Sequence, residues 1–201
     1  MKRGRFIAFE GLDGSGKSTQ LARQVARLRT AGRDVVATRE PTGGPNGRRI
    51  RALAAAGERA APEEELALFV ADRREHVTGV IAPALARGAI VLTDRYFLST
   101  VAYQGARGLD PERLLRESEA EFPLPDLALL FDLEPALCTD RLRVRAGVQE
   151  EAFERLDLLE RVAHVFAALR RPYLRRVDAR GDVDEVGARV DAALAEVLGL
   201  A

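Results

Sequence analysis

The stretch FEGLDGSGKSTQ, residues 9–20, constrains this chain more than any other part of it. Gly11, Gly16, Lys17 and Ser18 fill the pattern G-x-x-x-x-G-K-[ST]. An apolar run from Phe6 to Phe9 stands directly before it, and a helical stripe of Leu21, Val25 and Leu28 follows. Strand, glycine turn and helix is the context in which so short a motif carries meaning. Glycines let successive backbone N–H groups point inward, and the helix start adds the positive end of its dipole. Gly11, Leu12, Asp13, Gly14, Ser15, Gly16, Lys17, Ser18 and Thr19 therefore form a candidate polyphosphate cradle. Lys17 is placed to reach the β- and γ-phosphates of a nucleotide such as ATP, and Ser18 to offer its hydroxyl to Mg²⁺. Asp13 is the odd member, since a carboxylate inside an anion cradle should repel the ligand.

Short apolar runs alternate with helical patterns along the rest of the chain. Strands are expected at RFIAFE, DVVATR, AIVLTD, LALLFDL and, more weakly, LRRVDA. Several are rich in Val, Ile and Leu, as strands buried on both faces should be. Helices are expected over 17–31, 46–56, 63–87, 96–105, 110–120, 134–145, 151–171 and 183–198. Pro62 and Pro111 sit at helix starts, and Gly32, Gly57 and Gly88 follow helix ends. Pro83 falls inside a pattern and should kink or divide that helix. The alternation predicts an α/β fold, a parallel five-stranded sheet with helices on both faces. Ligands should bind outside the carboxyl ends of the strands.

Polar residues collect at those ends. One strand closes with Arg39-Glu40-Pro41, another with Asp94-Arg95-Tyr96, and a third runs into the cradle. Asp94 suits a partner of Ser18 in holding Mg²⁺, directly or through water. A helix N-cap is the other reading of the same residue.

These residues resemble the thymidylate kinase family, bacterial type. The cradle, TREP at 38–41, LFVADRREHV at 68–77, DRY at 94–96 and STVAYQG at 99–105 fall in the family's order at similar spacing. The resemblance runs from about residue 5 to 180 and weakens after 140. It implies a P-loop nucleoside monophosphate kinase fold and transfer of phosphoryl from ATP to dTMP, giving dTDP for dTTP synthesis, with Mg²⁺. It also implies that Asp13 points away from the triphosphate and accepts a hydrogen bond from the acceptor's 3′-hydroxyl; a local turn bond is the other reading. Arg39 and Arg95 would grip the acceptor 5′-phosphate, which a planar guanidinium can do bidentately. Phe69 would stack on the base, and Arg73, one turn later, would hydrogen-bond a base carbonyl; from the residues alone, Phe69 reads as core. Thr100 and Gln104 would complete the base edge, and Tyr103 would disfavour a ribose 2′-hydroxyl.

The region around 141–155 is expected to be a small lid on a single domain spanning 1–201. Gly14 stands where some family members carry a cradle arginine, so the transition-state cation would come from the lid. Arg143 and Arg145 are the expected catalytic pair beside Lys17, Asp13 and Arg95, on a helix end that also carries Arg141. A solvated basic helix end is the alternative. Thr42 stands where Gly is more usual. His76 and His164 form no metal constellation and suit surface or helix-packing roles, and Cys138 suits a small buried residue. With 31 basic and 31 acidic residues there is no general pull toward nucleic acid. A single cysteine, no signal peptide and no spanning segment suggest a cytoplasmic protein. A homodimer is expected from the family. Phosphorylation of another nucleotide or deoxynucleoside, or nucleotide binding without catalysis, remain the alternatives.

Overall fold

A computed structural model describes residues 3–56, 60–146 and 152–199. Five strands, β1 (Arg5–Gly11), β2 (Val35–Arg39), β3 (Ile90–Asp94), β4 (Leu127–Asp132) and β5 (Leu174–Asp178), form one sheet in the order β2-β3-β1-β4-β5. All the pairings are parallel. Central β1, β3 and β4 are nearly sealed, with Phe6 to Phe9, Ile90 to Leu92 and Leu127 to Phe131 buried. That is why these segments read as continuous apolar runs. Edge strand β2 is half-covered and its pattern correspondingly mixed.

Helix α1 (Lys17–Thr30) packs on β1, β2 and β3 together with α9 (Val183–Leu198). The opposite face carries α5 (Phe97–Gly105), which meets β1, α6 (Pro111–Glu121), α8 (Ala152–Ala168) and α3 (Pro62–His76). The helices after β1 and β3 thus leave on opposite faces, opening a crevice between the two carboxyl ends. Helix α2 (Pro45–Ala55) lies against α3, and α7 (Pro135–Ala146) against α8. Caps follow the sequence signals: Asp110 accepts from Glu112 N–H and Arg113 N–H, and Asp182 and Glu185 form a reciprocal capping box.

The expected helix over 63–87 is not divided. After α3 the chain continues through a π-helical turn at Val77–Ile81 into α4 (Ala82–Ala86). The wider turn re-registers the carbonyls ahead of Pro83, whose ring and missing N–H could not continue a regular ladder. Among the described residues, no helix is long and apolar enough to cross a membrane.

Candidate active site

Glycine geometry builds the cradle. Gly11, Gly14 and Gly16 have φ of 133°, 87° and 95°, values that side chains rarely allow, and α1 begins at Lys17 directly after them. A Cβ on Gly14 would sit 2.4 Å from the Cys138 carbonyl oxygen, so α7 closes directly onto the loop. Lys17 is buried and its Nζ donates to the Leu12 carbonyl at 2.6 Å. Burial, and then the neighbouring Arg95, lower its pKa to about 8, against the pull of Asp13, Asp94 and Glu10. Ser15 Oγ is buried without a protein partner. Ser18 Oγ donates to Asp94 Oδ2 at 2.5 Å. The pair brings a hydroxyl and a carboxylate together at the cradle mouth, a donor set of the hard-oxygen kind that fits Mg²⁺.

Arg95 explains the acid in the loop. It follows β3 in a left-handed conformation, φ 72°, a cost of about 1–3 kcal/mol that a surrounding structure must offset. Its N–H donates to Phe9 O at 2.9 Å, turning the chain back toward β1. The guanidinium then lies over the loop, donating to Gly11 O at 3.2 Å, Ser99 Oγ at 2.7 Å and Asp13 Oδ1 at 2.8 Å. Tyr103 Oη accepts from Arg95 at 3.2 Å and donates to Asp13 Oδ2 at 3.2 Å. Burial alone would raise the Asp13 carboxyl, but Arg95 and Lys17 outweigh it and hold the group well below the usual carboxylate range. The acid is matched by a cation, and its half-exposed side chain keeps lone pairs free.

Beneath this group lies Glu10, fully buried in β1. Its carboxylate accepts from Tyr96 N–H at 3.0 Å and from the Ser99 hydroxyl. Burial pushes its pKa up to about 7, with Ser99, Arg95 and Arg73 pulling the other way. An acid inside an apolar strand, FIAFE, was the available signal for this residue.

Helix α5 presents two adjacent faces. Ser99 and Tyr103, four apart, turn to Arg95 and Asp13, while Thr100 and Gln104 turn to α3. Arg73 is 1% exposed. Its Nε and Nη2 donate to Glu40 Oε2 at 2.9 and 2.6 Å, and Nη2 also to Thr100 Oγ1 at 2.7 Å. Arg73 Nη1 has no protein partner, and neither does Gln104 Oε1 on an equally buried side chain. The other oxygen of Glu40 lies 2.9 Å from His76 Nδ1, whose Nε2 is 2.7 Å from Thr38 Oγ1. His76 is therefore a buried bridge between α3 and β2, not a surface residue. Thr42 binds the neighbouring buried Asp72 through both its N–H (2.8 Å) and hydroxyl (2.6 Å), tying the TREPTGG loop to α3.

Other sequence-predicted residues take distinct places. Arg39 is paired in register with Asp94 at the sheet's carboxyl edge and is exposed, with no side-chain partner among the described residues. Phe69 is half-buried and stands outside the core that Leu66 and Val70 join, so it is not the core residue that apolar neighbours suggest. Thr19 is exposed on the first turn of α1. Arg143 is exposed and 3.4 Å from Asp140, and the side chain of Arg145 lies outside the described residues, as does much of the 141–155 segment. Arg141, by contrast, brings Nη1 to 3.9 Å from where a Cβ on Gly16 would stand. Cys138 is buried, and its thiol is pushed up to about 11 by that burial, which suits an inert packing residue. Among the described residues no cluster of three His, Cys, Asp or Glu could hold a metal.

Comparison with known proteins adds independent evidence. A sequence model of the family described as thymidylate kinase matches residues 9–190. The thymidylate kinase of Desulfotalea psychrophila is 45% identical over 183 residues, 91% of this chain and 90% of its own length. That of Akkermansia muciniphila is 46% identical over 193 residues, 96% and 92% of the two chains. That of Xanthomonas campestris pv. campestris is 50% identical over 200 residues, 97% and 86%.

Proposed function

Because this chain belongs to the thymidylate kinase family, we propose that it transfers the γ-phosphoryl of ATP to dTMP, giving dTDP, by in-line displacement. One observation carries the choice of acceptor. Arg73 Nη1, a donor, and Gln104 Oε1, an acceptor, are buried without protein partners on side chains that each bond across the α3–α5 contact, to Thr100 and to Glu65. Unpaired buried polar atoms cost about 1–3 kcal/mol each, so their persistence at a crevice supports a ligand that supplies the missing bonds. The 4-carbonyl and N3–H of thymine supply an acceptor and a donor in that order. Phe69, half-exposed beside Arg73 on α3, is available to stack on the ring.

The residues then divide the work. Lys17 exchanges the Leu12 carbonyl for phosphate oxygens, and the inward backbone N–H groups of residues 11–19 hold the donor chain. Arg95, fixed by four acceptors, needs no reorganisation to meet the acceptor phosphate, and Arg39 reaches it from the neighbouring strand end. Asp13, ionised by its partners, accepts the 3′-hydroxyl. Ser18 and Asp94 would hold Mg²⁺, which when bound neutralises charge on the phosphates. We place the closing cation on the 141–155 lid, with Arg141, Arg143 and Arg145 as its candidates. Homodimerisation through the 63–87 helix is part of the same proposal; sedimentation at micromolar protein should show a dimer.

Steady-state assay with ATP against dTMP, dUMP, dCMP, dGMP and AMP tests the function. The expected order puts dTMP first and purines last. A purine preference would move the acceptor base away from Arg73 and Gln104, and ATP binding without turnover would leave a nucleotide-binding protein.

A further inference from the structure

An amide can meet a base carbonyl-first or NH₂-first, and Gln104 is such an amide. One neighbour decides which. Gln104 Nε2 donates to Glu65 Oε2 on α3, and Arg107 Nη1 pairs with that same oxygen. Arg107 is itself held by the Ala60 carbonyl at 2.6 Å, and the Arg107 and Glu65 side chains are 17% and 28% exposed. A carboxylate in an ion pair accepts hydrogen bonds and donates none. The NH₂ of Gln104 must therefore face Glu65. Its Oε1 must face the other way, to the buried position where it has no protein partner.

We propose that Glu65, anchored by Arg107, is a specificity-determining positioning residue. By locking the polarity of the Gln104 amide, it makes the base site accept a 4-keto, N3–H pyrimidine and reject a 4-amino one. The proposal rests on the placement of the base against Arg73 and Gln104 given above. Cytosine presents an amino donor at position 4 and an acceptor at N3, the reverse of thymine. Arg73 opposes cytosine whatever happens, since a guanidinium has no acceptor face and Glu40 and Thr100 fix its orientation. Gln104 could reverse to suit cytosine N3 at the cost of a single side-chain rotation. Only the acceptor-only oxygen of Glu65 prevents it.

Glu65→Leu removes that restriction, because no acceptor then faces the Gln104 amide. The KM for dTMP should rise and the KM for dCMP should fall. The ratio of kcat/KM for dTMP over dCMP should drop about tenfold, a part of the discrimination that one unpaired buried polar contact supplies. Damage of a merely structural kind would raise both KM values. Glu65→Asp keeps an acceptor-only group and should hold the ratio nearer wild type; a ratio shifted as far as in Glu65→Leu would overturn the polarity lock. Gln104→Leu separates this proposal from the reading beneath it. If Gln104→Leu erodes the dTMP preference and Glu65→Leu does not, the lock is wrong and the base edge stands. If Gln104→Leu leaves the ratio unchanged, the base edge and the lock fall together. Melting temperatures with and without dTMP show that each variant is folded. Should Glu65→Leu not fold, Glu65→Gln made together with Arg107→Met, in which two facing amides pair in either sense, is assayed on the same two nucleotides with the same expected signs and the same overturning result.

Discussion

Around the phosphate loop, the groups that would meet a ligand are backbone N–H groups and one lysine, all from residues 11–19. At the base edge they are side chains from α3 and α5, oriented by Glu40 and Glu65. The two ends of the crevice thus rest on different physics. The loop is shaped by three glycine dihedrals that neighbouring residues set, and its hydrogen-bond donors are part of the chain itself. The edge exists only while buried charges stay paired, because each polar side chain there is aimed by another. Losing a partner should therefore hurt the fold at the edge and the chemistry at the loop.

The largest expected effect tests the edge. Glu40→Ala leaves Arg73 buried and unpaired, at a cost of about 3–5 kcal/mol. For a domain of this size that corresponds to a fall in Tm on the order of 10 °C in thermal unfolding. A change under about 2 °C would mean that the Arg73 charge is compensated elsewhere. Lys17→Ala should do the reverse, leaving Tm nearly unchanged while kcat falls about 10²–10³-fold, the scale of one lost transition-state donor. If the loss appeared chiefly in the KM for dTMP, the division between the two ends would break. Gly14→Ala is the smaller structural test of the loop. With φ at 87° and Cys138 O in the way, it should lose about 1–3 kcal/mol of stability and raise the KM for ATP more than that for dTMP.

The finest test uses pH. Lys17 must be charged to hold phosphate, so kcat/KM for ATP should fall about tenfold per unit above about pH 8, the value to which burial lowers it. Stability runs the opposite way: a folded pKa of about 8 against 10.5 gives a contribution present above pH 10.5 and lost as pH falls through 8. Glu10 works the other way. Raised from 4.5 to about 7, it contributes stability below pH 4.5 that is lost as pH rises through 7, and Glu10→Gln should flatten that part of the profile in urea unfolding.

What the sequence by itself determined is what neighbours along the chain determine. The apolar runs placed all five strands to within a residue or two, since a strand sealed on both faces has no polar alternation to hide in. The cradle was legible for the same reason: G-x-x-x-x-G-K-S specifies dihedrals, a helix start and a lysine within one contiguous segment. The strand-end rule brought Arg95 and Asp94 to that edge. Tertiary structure alone decided which charges meet. Asp13 and Arg95 are 82 positions apart, Arg73 and Glu40 33, and Gln104 and Glu65 39. No local pattern marks Glu65 as more than one acid among the chain's many, and the strand contexts of Glu10 and Glu40 do not say which donors they meet. Their roles arise because burial removes the water that would otherwise satisfy them, leaving each carboxylate to find its donors across the fold.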